Sequence, residues 1–318
     1  MVLFPARAKE AGHAVYRIHI AYDETFAMFH GSIPALVTPF KNNTLDHDVY
    51  EALVDRQIKA GSSALVPVGT TGESTTLSHD EHRSAVSMCV KAAQGRVPVI
   101  AGCGSNSTNE AIGLVQHAKE AGADAALVVC PYYNRPDQTG IEAHFRAIND
   151  AVQLPVFLYN VPGRTVSDIL PETIGRLAKL PNIIGIKDAT GDLARVTQHR
   201  MLAGEDFIQL SGDDPTSLGH RAMGGQGCIS VTANVAPQLN ADMHKAASQG
   251  DFSAARAIEL KLIRLHKDLF ASPSPGPTKY ALAKLGLCEE TVRLPITPPD
   301  AKTRTLVDEA LIAAGLGS

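Results

Sequence analysis

Short, continuously apolar runs recur along the chain, and most of them are separated by longer stretches with helical spacing. Alternating patterns are typical of strands with one face in water, whereas continuous runs are typical of parallel strands covered on both faces. We therefore predict eight buried parallel strands. They span Ile33–Thr38, Ala64–Val68, Val97–Ala101, Ala125–Cys130, Pro155–Tyr159, Ile183–Lys187, Phe207–Leu210 and Gly227–Val231.

The stretches between the runs contain helix-start signals. Ser78-x-x-Glu81 and Ser107-x-x-Glu110 match the capping box, in which each side chain accepts a hydrogen bond from the other residue's backbone N–H. Repeated strand-then-helix units predict an α/β protein with a closed (β/α)8 barrel, a TIM barrel. A doubly wound sheet is the competing layout, but no glycine-rich GxGxxG turn follows Ile33–Thr38.

The pattern changes after the eighth run. From Ala241 onward the apolar runs stop and only helical spacing remains. We predict a barrel over residues 28–245 and a small C-terminal helical appendage over residues 246–318. The helices expected in this part span 254–269, 279–285 and 303–314.

Composition narrows the class of protein. The chain has 318 residues and a net charge of −4, with basic and acidic residues scattered along it. This distribution lacks the dense positive footprint of a nucleic-acid-binding protein. No apolar run approaches the ~20 residues of a membrane-spanning helix. Residues 1–27 lack a signal-peptide pattern, and we interpret them as an N-terminal extension, a tag or a misread start.

The cysteines and histidines indicate neither disulfides nor a metal site. The five cysteines are odd in number and form no CxxC motif, and three lie in or beside apolar runs. This favours buried, reduced thiols and a cytoplasmic location. The 12 histidines form no HxH or HExxH motif, so no metal is expected.

Lys187 is the most informative residue at the end of a run. Active sites of such barrels lie at the C-terminal ends of the strands, and Lys187 closes the sixth run. Burial disfavours the charged form of a lysine, and a neutral amine is the form that attacks a ketone. The alternative is an ion pair with Asp188 or with an acid on a neighbouring strand. Pyridoxal phosphate also uses a Schiff-base lysine, but Asp213 and Asp214 after the seventh run would repel its phosphate.

Other unusual residues follow neighbouring runs. Tyr159 closes the fifth run, and its phenol could pass protons, although a core tyrosine with a satisfied hydroxyl is commoner. Arg164 follows in a Pro-Gly loop, where its guanidinium could hold a carboxylate or simply be solvated. Gly69-Thr70-Thr71-Gly72 offers N–H groups and hydroxyls for a keto acid, or forms an ordinary glycine turn.

Four motifs together resemble the dihydrodipicolinate synthase family, which is related to N-acetylneuraminate lyase. The resemblance runs from about Gly31 to the C-terminus. The motifs are Gly69-Thr70-Thr71-Gly72-Glu73-Ser74, Pro131-Tyr132-Tyr133-Asn134-Arg135-Pro136, Tyr159-Asn160-Val161-Pro162-Gly163-Arg164-Thr165 and Ile184-Gly185-Ile186-Lys187-Asp188-Ala189-Thr190-Gly191.

The resemblance implies a class I aldolase-type lyase that condenses pyruvate with aspartate β-semialdehyde in lysine and diaminopimelate biosynthesis. Lys187 would form the Schiff base with pyruvate. Tyr159 would shuttle protons and be linked through Thr70 to Tyr133, which in the family reaches in from a neighbouring subunit. The resemblance implies no cofactor, and it implies a homotetramer built as a dimer of dimers.

The resemblance also implies binding roles. Thr71 and the backbone around Ile229 would hold pyruvate, and Arg164 would bind the carboxylate of the semialdehyde. Some family members are inhibited by lysine. The matching residues here are Ser74, His79, His82, Asn106, Glu110 and Tyr132. Alternatively, Glu110 belongs to a capping box, and His79 and His82 to an exposed first helical turn.

The chain departs from the family pattern at two positions, and the sequence leaves two alternative functions. Asp188 stands where glutamate is common, and Ser274 stands where asparagine is expected in the proline-rich segment that leads to Lys279. One alternative function is a related pyruvate aldolase, such as an N-acetylneuraminate lyase. The other is a non-catalytic barrel that binds a keto acid or an amino acid.

Overall fold

The structure, a computed structural model, describes residues 28–317, and the predicted N-terminal extension over residues 1–27 lies outside them. Its strands are β1 (Gly31–Pro34), β2 (Phe40–Lys41), β3 (Thr44–Leu45), β4 (Ile100–Gly102), β5 (Ala125–Val129), β6 (Val156–Asn160), β7 (Ile183–Asp188), β8 (Ile208–Ser211) and β9 (Gly227–Ser230). Strands β2 and β3 form a small antiparallel pair. The other seven form one curled parallel sheet in the order β1-β9-β8-β7-β6-β5-β4, which confirms the α/β class.

One predicted strand, Ala64–Val68, is wrong as a continuous strand. This segment makes two isolated parallel bridges, one from Val66 to Ala35 and one from Leu65 to Val99. Proline has no N–H to donate to a ladder, and all three bridged segments contain one. These prolines are Pro34, Pro67 and Pro98. The segment then turns out of extended conformation at Val68, whose φ is +47°.

Helices follow most of the strands. Among residues 28–317, no helix is both long and apolar enough to cross a bilayer. The helices are α1 (His47–Lys59), α2 (His79–Ala93), α3 (Thr108–Glu120), α4 (Gln138–Ala151), α5 (Pro162–Thr165), α6 (Pro171–Leu177), α7 (Ala194–Ala203), α8 (Ser217–Ala222), α9 (Pro237–Ser248), α10 (Phe252–Asp268), α11 (Gly276–Lys284) and α12 (Ala301–Ala313). The last three match the helices predicted at the C-terminal end.

One of the two predicted capping boxes is complete. Glu81 accepts a hydrogen bond from the Ser78 N–H at 2.9 Å, and Ser78 Oγ accepts one from the Glu81 N–H at 3.2 Å. At the start of α3, Ser107 Oγ accepts from the Glu110 N–H at 3.5 Å. The Glu110 carboxylate instead accepts a hydrogen bond from Ser105 Oγ. The second box is therefore only half formed, because another donor takes the glutamate.

The sheet is buried on both faces, as the continuous apolar runs predicted. In β6, Phe157 packs in the cluster inside the curled sheet, together with Ile33 and Ile229. Its neighbour Leu158 packs in the cluster between the sheet and the helices, which includes Phe145 of α4. A third cluster joins the C-terminal helices to α9. Successive strand residues therefore face opposite sides, and this alternation fixes which of them can reach the interior.

Candidate active site

Lys187 and Tyr159 lie side by side at the C-terminal ends of two neighbouring strands. Tyr159 in β6 is in register with Lys187 in β7. The Lys187 Nζ lies 4.2 Å from the centre of the Tyr159 ring, and each residue is only 7% exposed. The sequence predicted that these two side chains belong to one site, and the fold brings them together.

The alternative explanation of Lys187, an ion pair with Asp188, is wrong. Asp188 is the next residue of the strand and points to the opposite face, where it accepts hydrogen bonds from Arg195 Nε at 2.9 Å and from Thr190 Oγ1 at 2.5 Å. Among residues 28–317, no carboxylate oxygen lies within 4 Å of the Lys187 Nζ. The amine therefore lies over the Tyr159 ring without an ion-pair partner in this part of the chain.

Gly212, directly after β8, leaves the space that the Lys187 side chain occupies. A Cβ atom at Gly212 would lie 2.8 Å from Lys187 Cε and 2.8 Å from the Cβ of Ala189. Real Cβ atoms essentially never approach other heavy atoms so closely. The absence of a side chain at position 212 therefore permits the observed path of the lysine.

These side chains line a cavity of about 750 Å³ at the C-terminal ends of the strands. Thr71 is buried in its wall, whereas Thr70 and Arg164 are exposed to the open side. Within residues 28–317, no group of three or more histidine, cysteine, aspartate or glutamate residues is arranged to hold a metal ion. The lining residues are Thr70, Thr71, Tyr159, Val161, Gly163, Arg164, Lys187, Ala189, Gly212, Asp213, Pro215, Val231, Ile263, His266, Lys267, Phe270 and Ser274.

The loop that carries Thr70 and Thr71 has an unusual backbone. Val68 before it and Glu73 after it both have positive φ, of 47° and 54°. Such conformations are unfavourable for residues with a side chain and persist where the surroundings impose them. Gly72 is required between them, since a Cβ there would lie 2.9 Å from Val68 Cα. The predicted glycine turn is thus a constrained element of the cavity wall.

A buried ion pair anchors this loop to the C-terminal helices. Lys279 of α11 is fully buried, and its Nζ lies 2.6 Å from Glu73 Oε1. Lys279 Nζ also donates to the Thr291 carbonyl at 2.7 Å, and Glu73 Oε2 accepts from the Arg293 N–H at 2.9 Å. Ser274, the residue that departs from the family pattern, lines the cavity a short distance before this helix.

Helix α10 contributes a wall of the cavity that the sequence analysis missed. Ile263, His266, Lys267 and Phe270, of which Phe270 follows the helix, line the cavity. Their i, i+3, i+4 and i+7 spacing marks one helical face, and this spacing was the available signal. It did not reveal which structure the face contacts.

His266 is the titratable residue of this wall with a shifted pKa. Burial alone lowers its pKa, but hydrogen bonding to Glu259 at 3.3 Å and the charge of Asp214 outweigh burial and raise it above its usual value. Its other ring nitrogen contacts Thr232 Oγ1 at 2.8 Å. Both ring nitrogens are thus engaged by the protein.

Two predicted residues do not line the cavity of this chain. Tyr133 is 89% exposed and has a positive φ of 69°. Ile229 in β9 is buried in the interior apolar cluster beneath the cavity. Within one chain, therefore, the structure does not join Tyr133 to Tyr159.

Four of the six residues matched to a lysine-binding site form two contacting pairs. His79 Nε2 lies 3.5 Å from Glu110 Oε1, and Asn106 Nδ2 donates to the Tyr132 carbonyl at 3.2 Å. Ser74 begins a short 3-10 turn nearby in sequence, after the Thr70–Thr71 loop. His79 and Glu110 come from different helices, so the fold rather than local sequence brings them together.

His82 differs from the exposed alternative that the sequence allowed. It is only 6% exposed, and its Nε2 contacts the Gly102 carbonyl at 3.0 Å. Burial lowers the pKa of His82 to about 4, although the Gly102 contact opposes this shift. The ring is neutral near pH 7, and its Nδ1 has no hydrogen-bond partner among the described residues.

Comparison with known proteins decides the family. The model of the dihydrodipicolinate synthetase family matches residues 28–314. A protein of Hyphomonas neptunium named 4-hydroxy-tetrahydrodipicolinate synthase is 67% identical over 293 residues, which covers 92% of this chain and 100% of that protein. The chain belongs to the dihydrodipicolinate synthetase family.

Two solved dihydrodipicolinate synthases have closely similar structures. The enzyme of Acinetobacter baumannii, complexed with pyruvate, is 44% identical with a TM-score of 0.88, covering 90% of this chain and 99% of that one. The enzyme of Cyanidioschyzon merolae, with lysine bound, is 39% identical with a TM-score of 0.88, covering 91% of this chain and 99% of that one. The predicted resemblance is confirmed, and it extends over the parallel sheet and the C-terminal helices.

Proposed function

We propose that this member of the dihydrodipicolinate synthetase family is a lyase that condenses pyruvate with aspartate β-semialdehyde to 4-hydroxy-tetrahydrodipicolinate. The observation that supports this most directly is the buried Lys187 amine beside the Tyr159 ring in an open cavity, with no carboxylate partner in residues 28–317. The name of the Hyphomonas neptunium relative supports the same activity, and the product belongs to lysine and diaminopimelate biosynthesis.

Lys187 is the nucleophile in this proposal. Its Nζ adds to C2 of pyruvate, and loss of water gives a Schiff base. Loss of a proton from C3 gives an enamine, which forms a carbon–carbon bond with the aldehyde carbon of the semialdehyde. The amine of that substrate then adds to C2, displaces Lys187 and closes the ring.

Tyr159 moves the protons that these steps require. Its ring already contacts the Lys187 side chain, so its hydroxyl can serve the carbinolamine that forms and collapses there. Thr70 relays protons between Tyr159 and Tyr133. The exposed Thr70 lines the cavity, where a residue from another subunit can reach it.

Carboxylate binding follows from the groups that line the cavity. Thr71 and the backbone near Ile229 hold the pyruvate carboxylate, and the cavity-lining Val231 lies just beyond Ile229 in the chain. Arg164 binds the carboxylate of the semialdehyde through its planar guanidinium. The pyruvate complex of the Acinetobacter baumannii enzyme supports the keto-acid assignment.

The assembly in this proposal is a homotetramer built as a dimer of dimers. Tyr133 is 89% exposed, although its backbone is held at a φ of 69°. A constrained aromatic residue that projects from one chain suits insertion into a partner's site. Each active site would then contain the partner's Tyr133.

Lysine is the proposed feedback inhibitor. The His79–Glu110 and Asn106–Tyr132 pairs, with Ser74 and His82 nearby in sequence, supply both charged and neutral polar groups for an amino acid. The lysine complex of the Cyanidioschyzon merolae enzyme supports this assignment. We expect millimolar lysine to lower initial rates in the wild type and to lower them less in Glu110→Gln. Unchanged wild-type rates would contradict the assignment.

We also propose that the sheet closes as an eight-stranded (β/α)8 barrel over residues 28–245, with residues 246–318 as the C-terminal helical domain. The segment Ala64–Val68 is the eighth member. It hydrogen-bonds to both edges of the seven-stranded sheet, for example from the Val66 N–H to the Pro34 carbonyl at 3.0 Å and from the Leu65 N–H to the Pro98 carbonyl at 3.0 Å. The cytoplasmic location stays a prediction, supported by five free cysteines, four of them buried.

Initial rates with pyruvate and a panel of aldehydes test the activity. Rapid turnover of aspartate β-semialdehyde is expected in the wild type and in Lys179→Ala, which removes an exposed lysine outside the cavity. Lys187→Ala should lose most of this turnover. Turnover of sugar aldehydes alone would indicate a related aldolase, and none at all in folded protein would indicate a binding protein.

A further inference from the structure

The residues that directly follow Tyr159 and Lys187 form a second, outward-facing pair. Asn160 and Asp188 are in register at the ends of β6 and β7. They are 0% and 9% exposed, so both are buried behind the wall of the cavity. Any group that holds Asn160 and Asp188 together also constrains the two reacting side chains one residue earlier in each strand.

Arg195 of α7 connects these strand ends. Its Nε donates to Asp188 Oδ2 at 2.9 Å, and its Nη1 donates to Asp168 Oδ2 at 3.3 Å. Its Nη2 donates to the Ile169 carbonyl at 2.6 Å. Arg195 is itself only 7% exposed. One guanidinium thus engages β7 and the segment between α5 and α6.

Asp168 completes the connection to β6. Its Oδ1 accepts a hydrogen bond from Asn160 Nδ2 at 2.7 Å, and Asn160 Oδ1 accepts one from the Ile169 N–H at 3.0 Å. The chain of contacts therefore runs from Asp188 through Arg195 and Asp168 to Asn160. We call these four residues the outer bracket.

We propose that Arg195 is a positioning residue, which through the outer bracket holds Lys187 against Tyr159 for Schiff-base chemistry. This inference rests on the proposed function. The planar guanidinium can bind two carboxylates in fixed directions, which a lysine ammonium cannot do. Displacing a reacting group by about 1 Å can slow a reaction on the order of 100-fold. A device that fixes two adjacent strand ends from behind therefore bears directly on rate.

The buried charges behind the cavity depend on the same residue. Arg195 is the cation that contacts both Asp188 and Asp168. His199 Nε2 lies 3.9 Å from Asp188 Oδ2, but burial lowers the pKa of His199 to about 4. This imidazole is therefore neutral near pH 7 and does not replace the guanidinium.

The test compares Arg195→Met, Arg195→Lys and Asp168→Asn with wild type. We expect Arg195→Met to lower kcat and the rate of borohydride trapping of pyruvate at Lys187 by about 10- to 100-fold, with the KM for pyruvate changed less than about 3-fold. Arg195→Lys should recover only part of kcat, because it can restore the contact to Asp188 alone. Asp168 is partly exposed. Asp168→Asn keeps the Arg195–Asp188 pair and should lower kcat by about 3- to 10-fold.

A matched control separates positioning from stability. Arg200→Met removes another ion-paired arginine of α7, which binds Glu205 in the loop between α7 and β8, and it should leave kcat unchanged. If all bracket variants lower the melting temperature but keep wild-type kcat and trapping rates, the outer bracket only stabilises the fold and the proposal is overturned. If the wild type itself traps no pyruvate, the proposed function fails instead.

Discussion

At the scale of single residues, the site depends on Lys187 and Tyr159, which lie at the ends of neighbouring strands. A lysine and a tyrosine that close adjacent apolar runs were expected to meet, and their in-register pairing places them 4.2 Å apart, measured from the amine to the ring centre. His266 and Lys267 were not predicted as wall residues. Helical spacing identifies a face of α10, but only the packing of distant elements determines that this face meets the cavity.

Gly212 is the sharpest single-residue test of how Lys187 is accommodated. In Gly212→Ala the new Cβ would lie 2.8 Å from Lys187 Cε, which can move aside, and 2.8 Å from the Ala189 Cβ, which can move only with its backbone. We expect kcat to fall by about 10- to 100-fold through displacement of the amine. The free energy of unfolding should fall by about 1–3 kcal/mol, because the contact with Ala189 forces a small backbone shift. Steady-state kinetics and urea unfolding measure the two effects.

The control for this substitution is Gly113→Ala in α3, where a Cβ meets nothing within 4 Å. Its kcat should match wild type, and its stability should rise by about 0.5–1 kcal/mol because alanine suits a helix interior better. Wild-type kcat in Gly212→Ala would show that the path of Lys187 does not depend on this glycine.

Glu81 provides a pH-dependent test. Its hydrogen bonds to Arg293, at 2.6 and 2.7 Å, and to the Ser78 backbone lower its pKa from 4.5 to about 2. A depressed carboxyl pKa stabilises the fold above the unfolded-state pKa, and this stabilisation is lost as pH falls from about 4.5 towards 2. Solvent screening limits the effect to about 1 kcal/mol.

The measurement is the difference in free energy of unfolding between wild type and Glu81→Gln. We expect this difference to be largest near about pH 6 and to shrink towards about pH 3. A difference that stays constant over this range would show that the Glu81–Arg293 contact does not depend on ionisation.

At the scale of elements, apolar continuity predicted the strands well and their ends less well. Seven of the eight predicted runs overlap an observed strand, and in most of them one end differs by one or more residues. The exception, Ala64–Val68, keeps its place between neighbouring strands but only as bridges. Periodicity reports burial, whereas a continuous ladder also needs N–H donors, and proline removes them. The capping box at the start of α3 is half formed for another reason. Ser105 donates to the Glu110 carboxylate, which the box would need.

The buried Lys279–Glu73 pair should couple the C-terminal helices to the Thr70–Thr71 loop. Burial lowers the pKa of Lys279 even though the Glu73 carboxylate opposes this. Lys279→Met leaves a buried carboxylate without its cation, which should cost about 3–5 kcal/mol in urea unfolding. Combining it with Glu73→Gln should recover much of that loss.

The matched control is Lys284, an exposed lysine of the same helix that pairs with Asp308 of α12. Lys284 lies 3.4 Å from Asp308 near the surface, and Lys284→Met should cost no more than about 0.5 kcal/mol. If Lys279→Met is equally mild, the buried pair does not anchor the loop as its geometry indicates.

At the scale of the whole molecule, the cavity of one chain contains all the proposed catalytic groups except Tyr133, which lies on the surface of the same chain. Sequence alone could suggest a partner only through the family resemblance, because no pattern along one chain encodes which surface faces another copy. The exposed, strained position of Tyr133 supports that suggestion. It also allows a test that needs no structure of the assembly.

Mixed oligomers of Lys187→Ala and Tyr133→Phe should regain activity. Each variant alone should be slow, with Tyr133→Phe reduced by roughly 100-fold if it serves a proton relay. Where subunits exchange Tyr133, a mixed dimer has one site with both native residues. Random pairing then gives about a quarter of wild-type activity. Activity equal to the sum of the separate variants would mean that Tyr133 does not act across subunits.

The central claim is that Lys187 forms a Schiff base with pyruvate, and reductive trapping tests it most directly. The protein is incubated with pyruvate and borohydride, digested, and mapped by mass spectrometry. We predict an N-carboxyethyl-lysine at position 187 that Lys187→Ala abolishes, while other lysines, including the cavity-lining Lys267, stay unmodified. No adduct in folded wild-type protein, or an adduct at another lysine, would contradict the account.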